Sequence, residues 1–169
     1  MTPARIALAV VVVTVSVVLQ VTLLSRLGLP GATPDLVLVV TMAYGFVRGP
    51  VVGASIGFSA GILLDLMPPS LGYFGLTALL LAVAGFIAGT VAERSGGVVA
   101  LALATVAVLC LGMVVGRALL AGLLGDPRIT WGEVPVLALT EALYGVILSA
   151  LAIPMLAAID RMMEPRMKF

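Results

Sequence analysis

The sequence predicts an all-α fold: a polytopic membrane helical bundle of about six transmembrane helices, with both termini cytoplasmic. Three observations carry this reading. First, 62% of the 169 residues are hydrophobic and 10% are charged, whereas a water-soluble domain has about 25% charged residues and about half apolar ones. A chain this small leaves much of its surface exposed, so its excess of Val, Leu and Ala suits lipid better than water. Second, Pro, Gly and charged residues divide the chain into six apolar blocks. Third, the basic residues gather on alternate connections. Residues 1–169 read as a single transmembrane domain.

The first block, 5–25, follows Arg5 and resembles a secretory signal in outline. Its apolar stretch from Ile6 to Leu24 exceeds the signal core of about 7–15 residues, and no Ala-x-Ala-like site follows, so it reads as an uncleaved first span. The blocks 35–48 and 50–66 are separated by Arg48-Gly49-Pro50 and fall short of the roughly 20 residues of a spanning helix. Two true spans are the favoured reading. The alternative is a re-entrant hairpin, whose non-helical backbone would have to be buried in protein. The remaining blocks, 73–92, 98–124 and 135–159, are long enough to cross. Between them the connections are short; the longest external one runs from Gly125 to Val134 and contains Trp131, an aromatic suited to the headgroup level.

With the N-terminus inside, Arg5, Arg48, Arg94, Arg161, Arg166 and Lys168 fall on cytoplasmic segments, against Arg26 and Arg128 outside. That asymmetry sets the orientation by the positive-inside rule.

Several function classes are disfavoured. A net charge of +1 is unlike the concentrated basic patch that nucleic acid requires. Cys110 is the single cysteine, so no internal disulfide forms, and there is no histidine, the commonest general base and metal ligand. No Ser-His-Asp set, Cys/His metal spacing or Gly-rich phosphate loop is present. The chain reads as a non-enzyme without a cofactor.

The sharpest pattern is a ladder at four-residue spacing, Gly49, Gly53, Gly57 and Gly61, with Asp65 next in step. Such residues share one helix face, and a stripe without side chains lets another backbone approach closely in lipid. The ladder predicts packing within the bundle or docking of a partner's helix. Gly85 and Gly89 repeat the spacing in the fourth block, and Gly112 and Gly116 in the fifth; Gly45, in the second block, is read as lying outside the ladder. Asp35, after Pro34, is placed to cap the second helix. Asp65 falls near the external edge, with a structural and a functional role equally open.

Arg117 and Glu141 each interrupt an apolar segment, where a charge costs about 2.5 kcal/mol or more. Counting residues from Leu124 and Val134 puts both roughly 10 Å below the external boundary at 1.5 Å per residue. An Arg117–Glu141 ion pair is therefore expected, with Asp65 the substitute acceptor if the helix faces disagree, and ligand binding or partner contact the alternative. Gln20, a weaker polar case in the first block, reads as bonding to a neighbouring helix.

From Pro34 onward the chain resembles the MreD family of bacterial rod-shape-determining membrane proteins. The resemblance rests on Pro34-Asp35-Leu36, Tyr44-Gly45, Arg48-Gly49, Gly53-x3-Gly57-Phe58-x2-Gly61, Leu63-Leu64-Asp65, Leu71-Gly72 and the Gly85/Gly89 span. It is dense over 35–90, while the last two blocks match mainly in layout. It implies a multi-pass protein of the bacterial inner membrane acting in cell shape and cell wall biogenesis. That role is a non-catalytic scaffold of the elongation machinery, or elongasome, for peptidoglycan synthesis. The implied partners are an MreC-like bitopic protein, a RodA-like glycosyltransferase and a class B penicillin-binding protein nearby, with MreB filaments on the cytoplasmic side and membrane lipid around it. The family is distantly similar to the substrate-binding subunits of energy-coupling-factor vitamin transporters, so the alternative function is a substrate-binding membrane subunit of a small-molecule transporter.

Overall fold

A computed structural model describes residues 3–26, 28, 31–67, 74–96, 98–125 and 130–162. Its regular elements are all helical: α1 (Pro3–Thr22), a 3₁₀ turn (Leu24–Arg26), α2 (Leu36–Arg48), α3 (Pro50–Leu66), α4 (Leu76–Ser95), α5 (Val99–Leu123) and α6 (Val134–Met162). Four of them, α1, α4, α5 and α6, are long and apolar enough to cross a membrane. Leu71, Gly72, Arg128, Arg166 and Lys168, named above, lie outside the described residues.

The helix boundaries follow local chemistry. Asp35 caps α2, its Oδ1 accepting from the N–H of Leu38 at 2.9 Å. The reversal into α3 is made by Gly49, at φ +86°, followed by Pro50 in the first position of α3. Glycine alone adopts that backbone region freely, and proline at the first helical position gives up an N–H that has no helical partner anyway. The fourth helix begins and ends later than the block 73–92. It continues through Ala92-Glu93-Arg94-Ser95 and stops at Gly96 in the left-handed conformation, because charged residues are good helix formers and only the glycine ends the helix.

The chain runs up and down, which defines a proximal end where α1 starts and a distal end where α1 stops. Short α2 is the hub and touches each of the other five helices. Val37, Leu38, Val39, Thr41, Met42, Ala43, Tyr44 and Gly45 are all buried in it. Its 13 residues extend only about 20 Å at 1.5 Å per residue, shorter than the roughly 30 Å hydrocarbon thickness of a bilayer. Most of its surface is covered by the other helices.

Large aliphatic side chains cover the outside. Val10, Val11 and Val15 on α1, Val108 and Leu119 on α5, and Leu143, Ile147 and Leu151 on α6 all face outward. The buried face of α6, in contrast, is Ala138, Glu141, Ala142, Gly145, Ser149, Ala152 and Leu156. Small residues inside and large aliphatics outside are the distribution expected when the solvent is lipid and close backbone approach drives association.

Candidate functional site

The most extensive helix contact is that of α3 with α4, and glycines on both sides make it. Gly53 and Gly85 face each other; a Cβ on Gly53 would stand 2.5 Å from the carbonyl oxygen of Gly85. Gly57 lies against the backbone of Leu81, Gly61 against that of Ala78, and Gly89 against Pro50 and Gly49. These antiparallel helices touch main chain to main chain.

Two members of the pattern differ from the sequence reading. Gly49 serves the α2–α3 reversal, and a Cβ there would meet only Glu93 Oε1, at 3.1 Å. Gly45, read as lying outside the ladder although it stands four residues before Gly49, sits in the same seam from the side of α2, where a Cβ would stand 2.5 Å from Gly85 O. The fifth-helix repeat is different again: Gly112 faces open space, and Gly116 meets the end of the Leu80 side chain at 3.2 Å. The close α5–α6 contact is made instead by Gly145 against Cys110. Spacing marks a bare stripe but does not say what the stripe faces.

At the distal end a polar cluster closes over the start of α2. Asp35 is buried; while Oδ1 holds the Leu38 N–H, Oδ2 accepts from Arg117 Nη2 at 2.8 Å. Gln20, reaching across from α1, accepts from the N–H of Val37 at 2.8 Å. Thr140 of α6 accepts from the N–H of Ala32 at 2.9 Å. Asp35 and Gln20 thus supply oxygen acceptors to the start of α2, whose free N–H groups and partial positive charge favour them, while Arg117 of α5 and Thr140 of α6 tie the entering chain to two further helices.

The expected Arg117–Glu141 pair is not the one formed. Arg117 pairs with Asp35, and among the described residues Glu141 Oε1 accepts no hydrogen bond. Depth counting places Arg117 and Glu141 at one level, but Asp35 occupies that level too, at the start of the central helix. Asp65 is not the substitute acceptor either. It is engaged at the start of α4, where its Oδ2 accepts from Gly75 N–H at 2.8 Å and lies 3.4 Å from the Ala78 nitrogen.

Gln20, Thr33, Asp35, Arg117, Thr130 and Glu141 are polar walls of a distal cleft of about 550 Å³, completed by apolar side chains such as Val114 and Leu137. At the proximal end Asp160 of α6 pairs with Arg48 of α2 and lies 4.0 Å from Arg5 Nε of α1. The sequence reading did not connect these three. The depth argument applied to Arg117 and Glu141 puts them at one end of the bundle, since Asp160 lies near the end of α6, Arg48 ends α2 and Arg5 lies near the start of α1, but it does not pair them. A second cleft of about 580 Å³ opens beside them, with Phe46, Val99, Leu103, Ile153 and Pro154 in its walls and Asp160 among them.

No family model, curated protein or solved structure matches this chain.

Proposed function

We propose that this chain is a multi-pass protein of the bacterial inner membrane that crosses the bilayer six times with both termini in the cytoplasm. In this reading it is an MreD-like, non-catalytic scaffold of the cell-wall elongation machinery. Six crossings are supported by the way α2 is bracketed. The chain entering it meets Thr140, near the start of α6, and its last residue meets Asp160, near the end of α6. Those 20 residues of α6 correspond to about 30 Å of rise, the thickness of the hydrocarbon core. A re-entrant α2 would not reach both levels.

The scaffold reading is carried by one observation. Tyr44-Gly45, Gly53, Gly57, Gly61, Gly85 and Gly89, which carry the resemblance to MreD together with the Arg48-Gly49 reversal, belong to α2, α3 and α4, and their glycines line one packed seam. The resemblance therefore concerns a structural unit rather than scattered glycines. The alternative, a substrate-binding subunit of a small-molecule transporter, draws on the distal cleft and its unpaired carboxylate.

Affinity purification of the full-length chain from a bacterial membrane separates the two. Recovery of an MreC-like bitopic protein with a RodA-like glycosyltransferase and a class B penicillin-binding protein supports the scaffold. Recovery of an ATPase pair with a transmembrane coupling subunit, and no wall synthase, would overturn it.

A further inference from the structure

Glu141 is 4% exposed, lines the distal cleft, and its Oε1 has no hydrogen-bond donor among the described residues. Its neighbour Asp35 has no such deficit, because Leu38 N–H and Arg117 occupy its two oxygens. Arg117, the cation lining the cleft, is thereby committed, although 37% of its side chain remains open. Among the described walls of the cleft two carboxyl groups face one guanidinium, so the acids outnumber the cations by one. A buried carboxylate oxygen with no donor is costly, and it marks a place where a donor from outside the fold gains most.

We propose that the distal cleft binds a hydrogen-bond-donating ammonium group, whose N–H donates to Glu141 Oε1. The carbon body of the ligand lies against Val114, Val134 and Leu137. The cleft, of about 550 Å³, has the size of a small-molecule site, roughly 300–1,000 Å³. A hard divalent cation fits poorly, since it takes about six or more oxygen ligands, and among the described residues no three potential metal-ligating side chains cluster. An anion would meet an excess of negative charge. The ammonium can come from a small primary amine in solution or from the headgroup of phosphatidylethanolamine; both donate N–H bonds, which a choline headgroup cannot. The inference concerns the cleft alone and holds for a scaffold and for a transporter subunit alike.

The test uses the full chain in phosphatidylcholine nanodiscs, with n-butylammonium and the uncharged n-butanol as probes. Butylammonium is expected to raise the melting temperature saturably, as a ligand of the folded state does, while butanol does not. Glu141→Gln should weaken butylammonium binding by at least about tenfold, equivalent to about 1.4 kcal/mol. In discs containing phosphatidylethanolamine, native mass spectrometry reads the source. Retention of that lipid by the wild type but not by Glu141→Gln assigns the headgroup, and butylammonium binding without lipid retention assigns a soluble amine. Equal responses to the alcohol and the amine overturn the proposal, as does binding that survives Glu141→Gln. So does a wild type that holds neither butylammonium nor phosphatidylethanolamine. The comparison of the two probes on the wild type remains decisive if the variant does not fold.

Discussion

Asp35 stands at the start of the helix that every other helix touches, and both of its carboxylate oxygens are occupied. It caps α2 and neutralises Arg117 at once, so the two roles should separate by substitution. Asp35→Asn keeps an acceptor for the Leu38 N–H and loses the charge; Asp35→Ala loses both and should cost about 1 kcal/mol more, the usual worth of an N-cap. A double-mutant cycle in detergent unfolding should give Asp35 and Arg117 a coupling within the roughly 0.5–3 kcal/mol range of contacting residues. The Arg117–Glu141 cycle should give a smaller one. Equal couplings, or a larger one for Glu141, would mean that Arg117 divides its charge between the acids or prefers Glu141. The sequence puts Arg117 and Glu141 at one level but does not bring Asp35 to them or say which way each side chain points, because residue counting measures rise along a helix and leaves the azimuth free. Asp160 illustrates the same limit from the other end: it pairs with Arg48, 112 positions away, through an arrangement of helices that no local spacing encodes.

The helices themselves were largely legible. Pro, Gly and charge punctuate the apolar blocks, and α2 and α3 match the blocks 35–48 and 50–66 closely because Asp35, Gly49 and Pro50 are strong local signals. The α4 boundaries moved because apolarity was used as the marker of helix, while Glu93 and Arg94 extend the helix as well as any aliphatic residue. The glycine seam was legible as a stripe and illegible as a contact. Gly45 on α2 belongs to it and Gly112 on α5 does not, since a bare surface packs only if a neighbour faces it. Gly57→Ala should therefore lower the melting temperature in detergent, because a Cβ there collides with the Leu81 backbone and overpacking of this kind costs about 1–3 kcal/mol. Gly45→Ala should behave likewise. Gly112→Ala meets open space and should be neutral or slightly stabilising, by up to the roughly 1 kcal/mol that separates Ala from Gly in a helix. If all three behave alike, the seam is not closed. If Gly57→Ala retains its stability but loses an MreC-like partner, the groove is a docking face instead.

At the scale of the whole molecule, two ionic clusters bracket a short, buried helix. Asp35 with Arg117 lies at the distal end of α2 and Arg48 with Asp160 at the proximal end. Between them the core combines the close glycine contacts with large side chains such as Leu38, Met42 and Leu81, and many Val, Leu, Ile and Phe side chains face outward. This arrangement places charge where α2 stops, and in the proposed topology its 13 residues take the place of the about 20 of an isolated span. The account therefore depends on α2 and α3 being full crossings, and accessibility of single cysteines in a Cys110→Ser background tests that most directly. Intact cells and inverted vesicles are labelled with a membrane-impermeant maleimide at Arg48→Cys, Arg94→Cys and Gly125→Cys. The account predicts labelling of Gly125→Cys from outside only, and of Arg48→Cys and Arg94→Cys from the cytoplasmic side only. Protection of Arg48→Cys from both sides, or its labelling from outside, would contradict six crossings with cytoplasmic termini.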